Sequence, residues 1–480
     1  MIRHDCEVLV VGSGAGGATT AAVLAEAGHD VCVVEEGPWV EQGEVVPFSL
    51  EQMDRQYRSG GVTVALGLPS IAYTEGRCAG GGTEVNSGLY RRPPEATLER
   101  WRERYRIRDF GTDDLLSICE EVEAELDVQK VPGEHTPASR IMRRGAERLG
   151  WRHEEIPRWM SYPEGGDAVD GRRRSMTRTY LPRATAAGAR VLCEHRLERI
   201  VRDGRRATHA ELTHRGEPVV ISFRDVFVCG GAIQTPAILQ RAGLRHRVGR
   251  TLAVHPTVKL AARFDRAGGE PPVNTPDDVS VFQVKEFAPN MSFGGSASHP
   301  GLVALALSDN WREFGRAVGA WPDLAIYYAA ITSEGRGRVQ AIPGVRDPLV
   351  TYRLTRRDRA LLGQGLGRLA MVMLEAGALE VYPSFRGAPL VRDRADVGAM
   401  TAAFSAARAS VMTVHLCSTA PMGEDEARCA TDSHGRVRGA DNVRVNDAAL
   451  LPEAPGVNPQ ASVMAVAIRN ARRFVDERAG

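Results

Sequence analysis

Residues 8–17 have the sequence VLVVGSGAGG, in which an apolar run ends at a cluster of glycines. The apolar run 8–11 is typical of a buried strand, and the small residues 18–27 favour a helix that ends at Gly28. A second apolar run, residues 31–34, follows this helix. Strand, helix and strand within forty residues predict a βαβ unit with parallel strands.

The glycine cluster has the GxGxxG spacing that places a dinucleotide at a strand-to-helix turn. Gly12 permits the turn, Gly14 lets a pyrophosphate approach the backbone, and Gly17 allows close packing of helix on strand. The N-terminus of the helix supplies N–H donors for phosphate. Glu35 ends the second strand, where an acid accepts hydrogen bonds from an adenosine ribose. Because this position holds an acid and not a basic residue, an unphosphorylated ribose is favoured, hence NAD or FAD over NADP.

Length and charge narrow the class of protein. The chain has 480 residues, enough for two joined domains, and 43% of them are hydrophobic, which supports a large core. The 61 basic and 60 acidic residues nearly cancel, so neither a nucleic acid nor an anionic membrane is an expected partner. Of the basic residues only Lys130, Lys259 and Lys285 are lysines.

Cysteine spacing and hydropathy exclude other classes. The eight cysteines contain no CxxC pair, so neither a disulfide framework nor a zinc site is expected, and we expect no metal. No apolar run approaches the roughly 20 residues that span a bilayer, and no signal peptide precedes the first strand. We therefore expect a soluble cytoplasmic protein.

Further elements follow from local patterns. Residues 96–105, 113–126 and 358–376 have helical character, and a last amphipathic helix is expected from Asn458-Pro459 to about Glu477. Residues 219–229 and 258–264 have the character of strands, and the alternating run 302–307 is expected to be a short strand as well.

Four further sequence blocks decide between the dinucleotides. They are residues 76–88 (GRCAGGGTEVNSG), 228–236 (VCGGAIQTP), 414–423 (VHLCSTAPMG) and 456–460 (GVNPQ). With the N-terminal glycine cluster they resemble the glucose–methanol–choline (GMC) oxidoreductases, which are FAD-dependent alcohol oxidases and dehydrogenases. The resemblance extends from residue 7 to about residue 475 and is weakest over residues 257–405.

The resemblance implies an α/β fold in which a Rossmann-like FAD-binding domain is joined to a substrate-binding domain with an antiparallel sheet, α+β in character. Both domains are discontinuous in sequence. The FAD-binding domain is expected to contain residues 1–110, 180–256 and 406–480. The substrate-binding domain is expected to contain residues 111–179 and 257–405.

The resemblance also implies which residues hold the cofactor. In some family members a histidine is bonded covalently to the flavin, but here Val85 stands at that position, so we expect non-covalent FAD. Leu197 is similar to the position whose backbone meets the adenine. The implied FAD-binding residues are Gly12, Ser13, Gly14, Ala15, Gly17, Glu35, Glu36, Arg77, Gly82, Thr83, Asn86, Gly88, Leu197, Ala232, Asp447, Ala448, Pro459 and Gln460.

Alcohol oxidation needs a base and a group that orients the hydroxyl. The resemblance assigns His415 as the base and Asn458 as the group that holds the alcohol oxygen, with hydride passing to flavin N5. Each residue also has a structural interpretation. His415 lies in an apolar stretch, where a histidine is often part of the core, and Asn458 before Pro459 fits an ordinary helix N-cap. His255 lies in the stretch 252–256, which resembles a block with a structural role in the family.

Two other functions share the predicted fold: a hydroxynitrile-lyase type of enzyme, and a flavoprotein without redox turnover. For the leading function, the expected substrate is a small-molecule alcohol and the electron acceptor is O₂ or another carrier. The short substrate region predicts an open pocket, which suits a sugar-like or glycosylated metabolite. The oligomeric state and the choice between oxidase and dehydrogenase stay open.

Overall fold

The strand that precedes the glycine cluster lies inside a seven-stranded sheet. In this computed structural model, which describes residues 2–265, 272–274 and 279–479, Ile2–Val11 pairs in parallel with Val31–Val34 and with Glu217–Val228. Residues 8–11 and 31–34 are buried, as expected of parallel strands covered on both faces. The predicted βαβ unit is confirmed. In spatial order the sheet contains His195–Asp203, Arg206–His214, Glu217–Val228, Ile2–Val11, Val31–Val34 and Arg190–Leu192, with Val443–Val445 beside Glu217–Val228.

The second layer is a nine-stranded, largely antiparallel sheet. One parallel pair interrupts it, formed by Val411–Thr413 and Ile71–Tyr73. The helix Arg356–Glu375 covers one face, where a Cβ on its Gly365 would contact Ala329. The helix Pro300–Leu307 covers one end of the opposite face, where it packs on Ala261 and Ile326. The strands are Thr63–Ala65, Ile71–Tyr73, Val411–Thr413, Thr257–Arg263, Leu324–Ile331, Met291–Ser296, Phe282–Val284 and His153–Glu155, with Glu380–Pro383 beside Thr257–Arg263.

Helices pack on both sheets, and small strand pairs join the layers. The helices are Ala15–Glu26, Leu50–Gln56, Gly82–Val85, Glu95–Tyr105, Thr112–Glu125, Pro137–Arg148, Tyr180–Ala186, Gly231–Arg241, Pro300–Leu307, Trp311–Phe314, Arg356–Glu375, Arg394–Ala403 and Gln460–Ala479. The small sheets are Ala253–Val254 with Leu416–Cys417, Arg336–Gln340 with Leu349–Arg353, and Val128–Gln129 with Arg158–Ser161 and Arg172–Arg173.

One predicted strand is wrong. Residues 302–307 belong to the helix Pro300–Leu307. Its proline occupies the first turn, and the buried residues are Val303, Ala306 and Leu307, which follow the i, i+3, i+4 pattern of a helix packed on one side. The alternation of leucines imitates a strand, because apolar residues also fall on the solvent side; Leu305 is 66% exposed.

The predicted division into domains stays a prediction, but the sheets place some segments differently from it. Thr63–Ala65, Ile71–Tyr73 and Val411–Thr413 lie in the nine-stranded sheet, although they fall within the expected FAD-binding domain. Thr112–Glu125 packs on Gln460–Ala479 at the first sheet, although it was expected in the other domain. Strand pairing decides these positions, and pairing partners are distant in sequence. Residues 266–271 and 275–278 of the expected substrate-binding domain lie outside the described residues.

Among the residues that the structure describes, no helix is long and apolar enough to cross a bilayer. The same residues contain no group of three or more histidine, cysteine, aspartate or glutamate side chains arranged to hold a metal ion.

The buried carboxylate of Asp358 gives a test of the fold. It accepts hydrogen bonds from the backbone N–H groups of Glu334 (3.0 Å), Gly335 (3.0 Å) and Thr355 (2.8 Å). Asp358→Ala leaves these donors without their acceptor, so we expect the free energy of unfolding to fall by about 3 kcal/mol or more in denaturant titrations. The matched control is Asp393→Ala, which removes an exposed helix N-cap and should cost about 1 kcal/mol. Equal losses in the two variants would contradict the assigned role of Asp358.

Candidate active site

A cavity of about 890 Å³ is lined by residues of both sheets. Its volume lies in the range of cofactor and ligand pockets. Most of the predicted FAD-binding residues, together with His415 and Asn458, contribute to its wall. Gly17 and Arg77 do not. A Cβ on Gly17 would lie 1.9 Å from the Gly12 carbonyl oxygen, so this glycine serves packing, and Arg77 forms an ion pair with Glu36 (3.4 Å).

Glu35 stabilises the glycine turn through hydrogen bonds. Its carboxylate accepts hydrogen bonds from the Ser13 hydroxyl (2.7 Å), the Ser13 backbone N–H (3.1 Å) and the Gly37 backbone N–H (2.9 Å). Burial raises the pKa of this carboxyl above its usual range. Two carboxylate oxygens offer about four acceptor positions, so one remains for a ribose hydroxyl.

The backbone surface at the glycines fits a dinucleotide. Gly14 and Gly81 face each other, and a Cβ on Gly14 would lie 3.9 Å from the Gly81 Cα. A Cβ on Gly82 would meet no protein atom within 4 Å. Bare backbone at these positions, next to the first turn of the helix Ala15–Glu26, leaves a cradle that side chains would fill. These residues therefore suit the pyrophosphate of FAD.

Asp447 joins three segments at the cavity wall. Its carboxylate accepts hydrogen bonds from the Thr235 hydroxyl (2.5 Å) and from the backbone N–H groups of Gly231 (2.7 Å) and Ala449 (2.7 Å). Burial raises its pKa to about 6. The carboxylate thus holds the start of the helix Gly231–Arg241 against the segment that follows the strand Val443–Val445.

The glycine-rich loop 80–88 is attached to the start of the last helix. The Asn86 amide donates to the Gln460 side chain (3.0 Å) and accepts from the Gly88 backbone N–H (2.9 Å). Gly88 has φ +73°, which favours glycine. Asn86 and Gln460 are thereby brought together, although 374 residues separate them in the chain.

His415 and Asn458 meet in the cavity. The Nε2 atom of His415 lies 3.4 Å from the amide nitrogen of Asn458. His415 follows the strand Val411–Thr413, and the Thr413 hydroxyl accepts its backbone N–H (3.2 Å). The helix begins at Gln460 rather than at Asn458, so Asn458 belongs to the preceding loop, and its side chain faces the histidine.

His255 is the residue that sequence reasoning placed in a structural role. Its Nδ1 lies 2.9 Å from Nδ1 of His415, and the two rings meet edge to face with centroids 5.2 Å apart. Ala253–Val254 pairs with Leu416–Cys417 in antiparallel register, which brings positions 255 and 415 to the same end of this ladder. No local sequence signal reports such a pairing.

Two hydrogen bonds compete to set the tautomers of the two histidines. The Gly456 backbone N–H donates to Nε2 of His255 (3.0 Å), so neutral His255 carries its proton on Nδ1. It donates this proton toward Nδ1 of His415. In that arrangement neutral His415 carries its own proton on Nε2, facing the Asn458 amide nitrogen, which is also a donor. If Asn458 instead donates to Nε2, His415 carries its proton on Nδ1.

Both imidazoles are neutral over the ordinary pH range. Loss of hydration lowers the pKa of His415 to about 4. The pKa of His255 is well below its usual value, chiefly because of burial and then because of the charges of His415 and Lys285. A neutral imidazole has the lone pair that a proton acceptor requires.

The comparisons with known proteins agree with this geometry. The model of the GMC oxidoreductase N-terminal region matches residues 53–257, that of the C-terminal region matches residues 333–467, and a model of the NAD(P)-binding Rossmann-like domain matches residues 10–40. The chain is 39% identical to an uncharacterised GMC-type oxidoreductase of Sinorhizobium fredii, over 98% of this chain and 94% of that protein. It is 26% identical to the long-chain-alcohol oxidase FAO4B of Arabidopsis thaliana, over 99% of this chain and 68% of that protein.

Two solved structures have the same fold. Pyridoxine 4-oxidase from Mesorbium loti superposes with a TM-score of 0.72 at 18% identity, covering 98% of this chain and 99% of that one. Formate oxidase of Aspergillus oryzae superposes with a TM-score of 0.75 at 15% identity, covering 100% and 99%. The protein belongs to the GMC oxidoreductase family. This confirms the recognition from sequence and the choice of FAD, while the mode of attachment stays a prediction.

The cradle at Gly14 can be tested by adding one methyl group. Gly14 has φ −67°, and an alanine Cβ would make only an ordinary contact with Gly81, so Gly14→Ala should leave the stability of the FAD-free protein within about 0.5 kcal/mol. The methyl would occupy space needed by the pyrophosphate. We expect FAD affinity to fall about tenfold or more in fluorescence titrations.

Two other glycines serve as controls for this variant. Gly398→Ala adds a methyl on an open helix face and should leave FAD binding unchanged. Gly17→Ala should impair folding itself, because its Cβ would collide with backbone. Unchanged FAD affinity in Gly14→Ala would rule out the proposed position of the pyrophosphate.

Proposed function

We propose that this protein oxidises an alcohol to the aldehyde or ketone with non-covalent FAD, with His415 as the base. The observation that carries the proposal is the half-buried pair of His415 Nε2 and the Asn458 amide, 3.4 Å apart, in the same cavity as the glycine cradle. Bound FAD supplies the acceptor for the hydrogen and electron pair that leave the alcohol carbon.

The two polar side chains divide the work on the hydroxyl group. The Asn458 amide donates to the alcohol oxygen and polarises it as negative charge develops, while His415 removes its proton. General-base catalysis of this kind contributes about 10²–10⁴-fold to the rate. Because Asn458 precedes the last helix, the positive end of that helix lies nearby and favours negative charge at this end of the cavity.

Substrate binding selects the tautomer that the base needs. While the Gly456 backbone N–H donates to His255, Nε2 of His415 carries a proton. An alcohol whose O–H points at Nε2 favours the other tautomer, in which His415 donates through Nδ1 to His255. This exchange gives up the hydrogen bond from Gly456 and costs about 1–3 kcal/mol, which the new bond to the alcohol offsets. His255 is therefore a positioning residue for His415.

The names of two relatives support an alcohol as the substrate class, but they do not determine which alcohol this protein oxidises. The Arabidopsis relative is named a long-chain-alcohol oxidase, and another relative, 26% identical over 97% of this chain and 90% of that protein, is named the 6'''-hydroxyparomomycin C oxidase of Streptomyces lividus. The second name agrees with the sugar-like or glycosylated substrate expected from the sequence. O₂ or another carrier then reoxidises the flavin.

The alternatives are a lyase of the hydroxynitrile type and a flavoprotein without turnover. The visible spectrum of the purified protein, recorded without oxygen before and after adding alcohols, distinguishes them. Bleaching of the flavin band by an alcohol supports the proposal, and readmitted air shows whether O₂ is the acceptor. Cyanohydrin cleavage without any bleaching would instead establish the lyase.

The base assignment predicts the behaviour of His415→Ala. This variant should keep FAD bound but lose about 10²–10⁴-fold in the rate of flavin reduction by alcohol, measured by anaerobic stopped-flow absorbance. The control is His434→Ala, because His434 does not line the cavity. Reduction of His415→Ala at the rate of the unmodified protein would show that another group takes the proton.

The low pKa of His415 predicts an unusual pH profile. Only the unprotonated ring accepts a proton, and its pKa is about 4, so kcat/KM for a neutral alcohol should stay constant from pH 8 to about pH 5. Below pH 4 it should fall about tenfold per pH unit. Rapid mixing into acidic buffers measures the profile before the protein unfolds. A decline centred near pH 6.5 would contradict a dehydrated His415 as the base.

A further inference from the structure

The face of the nine-stranded sheet opposite the helix Arg356–Glu375 presents polar side chains to the cavity. Lys259 on Thr257–Arg263 lies opposite Tyr328. On the neighbouring strands Val284 lies opposite Phe293, so the alternation of side chains places Gln283 on the same face as Tyr328. Lys285 directly follows this strand, and its ammonium bonds Gln283. All of these polar residues line the cavity.

The two lysines have hydrogen-bond partners but no counterion. The Lys259 ammonium donates to the Ser296 hydroxyl (2.9 Å), and the Lys285 ammonium donates to the Gln283 side-chain oxygen (2.6 Å). Neither forms an ion pair with a carboxylate in the described parts of the chain. The acid beside Lys285 is Glu154, which is 48% exposed and bound to Arg91 (2.8 Å).

An uncompensated buried charge is costly, and here the cost shows in the pKa values. Burial lowers the pKa of Lys259 to about 8 and that of Lys285 to about 7. Each ammonium has three donors and uses one of them, so donors remain for a ligand. An anion entering the cavity would stabilise the charged form of both side chains.

The composition makes these positions unusual. The chain has three lysines among 61 basic residues, and two of them lie on this one wall. Elsewhere the chain forms its surface ion pairs with arginine, as at Arg92 and Arg183. Burial can remove the charge of a lysine and a bound anion can restore it, whereas an arginine stays charged.

We propose that the alcohol substrate carries a carboxylate, which Lys259 and Lys285 bind while its hydroxyl lies between His415 and Asn458. This inference rests on the proposed function. Two ammonium groups, each a compact positive charge, suit an anion with a single negative charge. Sites that bind phosphate typically also contain an arginine or a helix N-terminus. On this wall the guanidinium of Arg91 is engaged with Glu154.

The spacing also fits one molecule that reaches both ends. Lys259 lies two residues beyond Thr257 on an extended strand, hence about 7 Å along it, and Thr257 follows His255 by two residues. The charge of Lys285 contributes to the lowered pKa of His255, which places Lys285 within electrostatic range of the histidine pair. A substrate with its hydroxyl and its carboxylate at opposite ends of a ring or a short chain would contact both parts of this cavity wall.

The test uses two alcohols of the same shape: 4-(hydroxymethyl)benzoate and 4-(hydroxymethyl)benzamide. We expect the FAD-loaded protein to prefer the benzoate in kcat/KM. Lys259→Met and Lys285→Met should each lower kcat/KM for the benzoate about 10- to 100-fold, mainly through KM, and change that for the benzamide less than about twofold. The benzamide rate thus reports whether each variant is folded.

Two further variants sharpen the result. Lys130→Met, which removes the exposed lysine outside the cavity, should leave both rates unchanged. Lys285→Arg should retain much of the preference for the benzoate, because it retains the charge. A loss of kcat/KM for the benzoate as large as in Lys285→Met would assign Lys285 to proton transfer and overturn its role in anion binding.

The remaining outcomes separate this inference from the proposed function. Equal rates on benzoate and benzamide, or a preference for the benzamide, would overturn the inference and leave alcohol oxidation intact. A preference for 4-(hydroxymethyl)phenyl phosphate over the benzoate would overturn the assignment to a carboxylate. Unsubstituted benzoate should bind with a shift in the flavin absorbance that both methionine variants lose. If it does so while no alcohol reduces the flavin, the proposed function fails and the anion site is supported.

Discussion

Close packing of backbone on backbone at the glycine cluster is the constraint on which the rest of the structure depends. A Cβ on Gly16 would lie 2.1 Å from the Asn446 carbonyl oxygen, and one on Gly12 would lie 2.4 Å from that of Cys229. The first turn therefore meets two segments that are more than two hundred residues away in sequence. The buried side chain of Asn446 holds this junction, since it donates to the Thr20 hydroxyl (2.8 Å) and to the Ala467 carbonyl oxygen (3.0 Å). The wall of the cavity forms around this contact.

The second requirement is a segment that belongs to both sheets. The strand Val411–Thr413 lies in the nine-stranded sheet, and a few residues later the Ser418 backbone N–H donates to the Ala448 carbonyl oxygen (3.1 Å) beside the first sheet. His415 lies on this crossing. It can therefore face a group bound at the glycines and a substrate held on the second sheet at the same time, which is what a base in a two-layer enzyme needs.

The two ends of the cavity recognise negative charge by different means. At the glycines, backbone N–H groups and a helix N-terminus suit phosphate, and any side chain would be in the way. At the second sheet, Lys259 extends from a strand and Lys285 directly follows one, and the backbone there is engaged in hydrogen bonds, so side chains must supply the charge. Between them, His415 is neutral because its surroundings are poor in water. In the proposed reaction the substrate is held at its ends, and the proton transfer takes place between them, at His415.

Local sequence determined the parts of this protein that depend on neighbours in the chain. The βαβ unit follows from two apolar runs and a glycine spacing, and the motif blocks were sufficient for the family and the cofactor. The same blocks predict roles for His415 and Asn458, whose side chains the structure brings within 3.4 Å. Tertiary structure decided what depends on pairing between distant strands. The register of residues 253–254 with 416–417 places His255 on His415, and the strand pairing of Lys259 and of Gln283, the partner of Lys285, places two lysines on one wall. The prediction of a strand at 302–307 is wrong for a related reason: a run of apolar residues does not reveal which of them another element will cover. Periodicity and spacing record local geometry, whereas a site built across sheets depends on contacts that no single stretch of sequence contains.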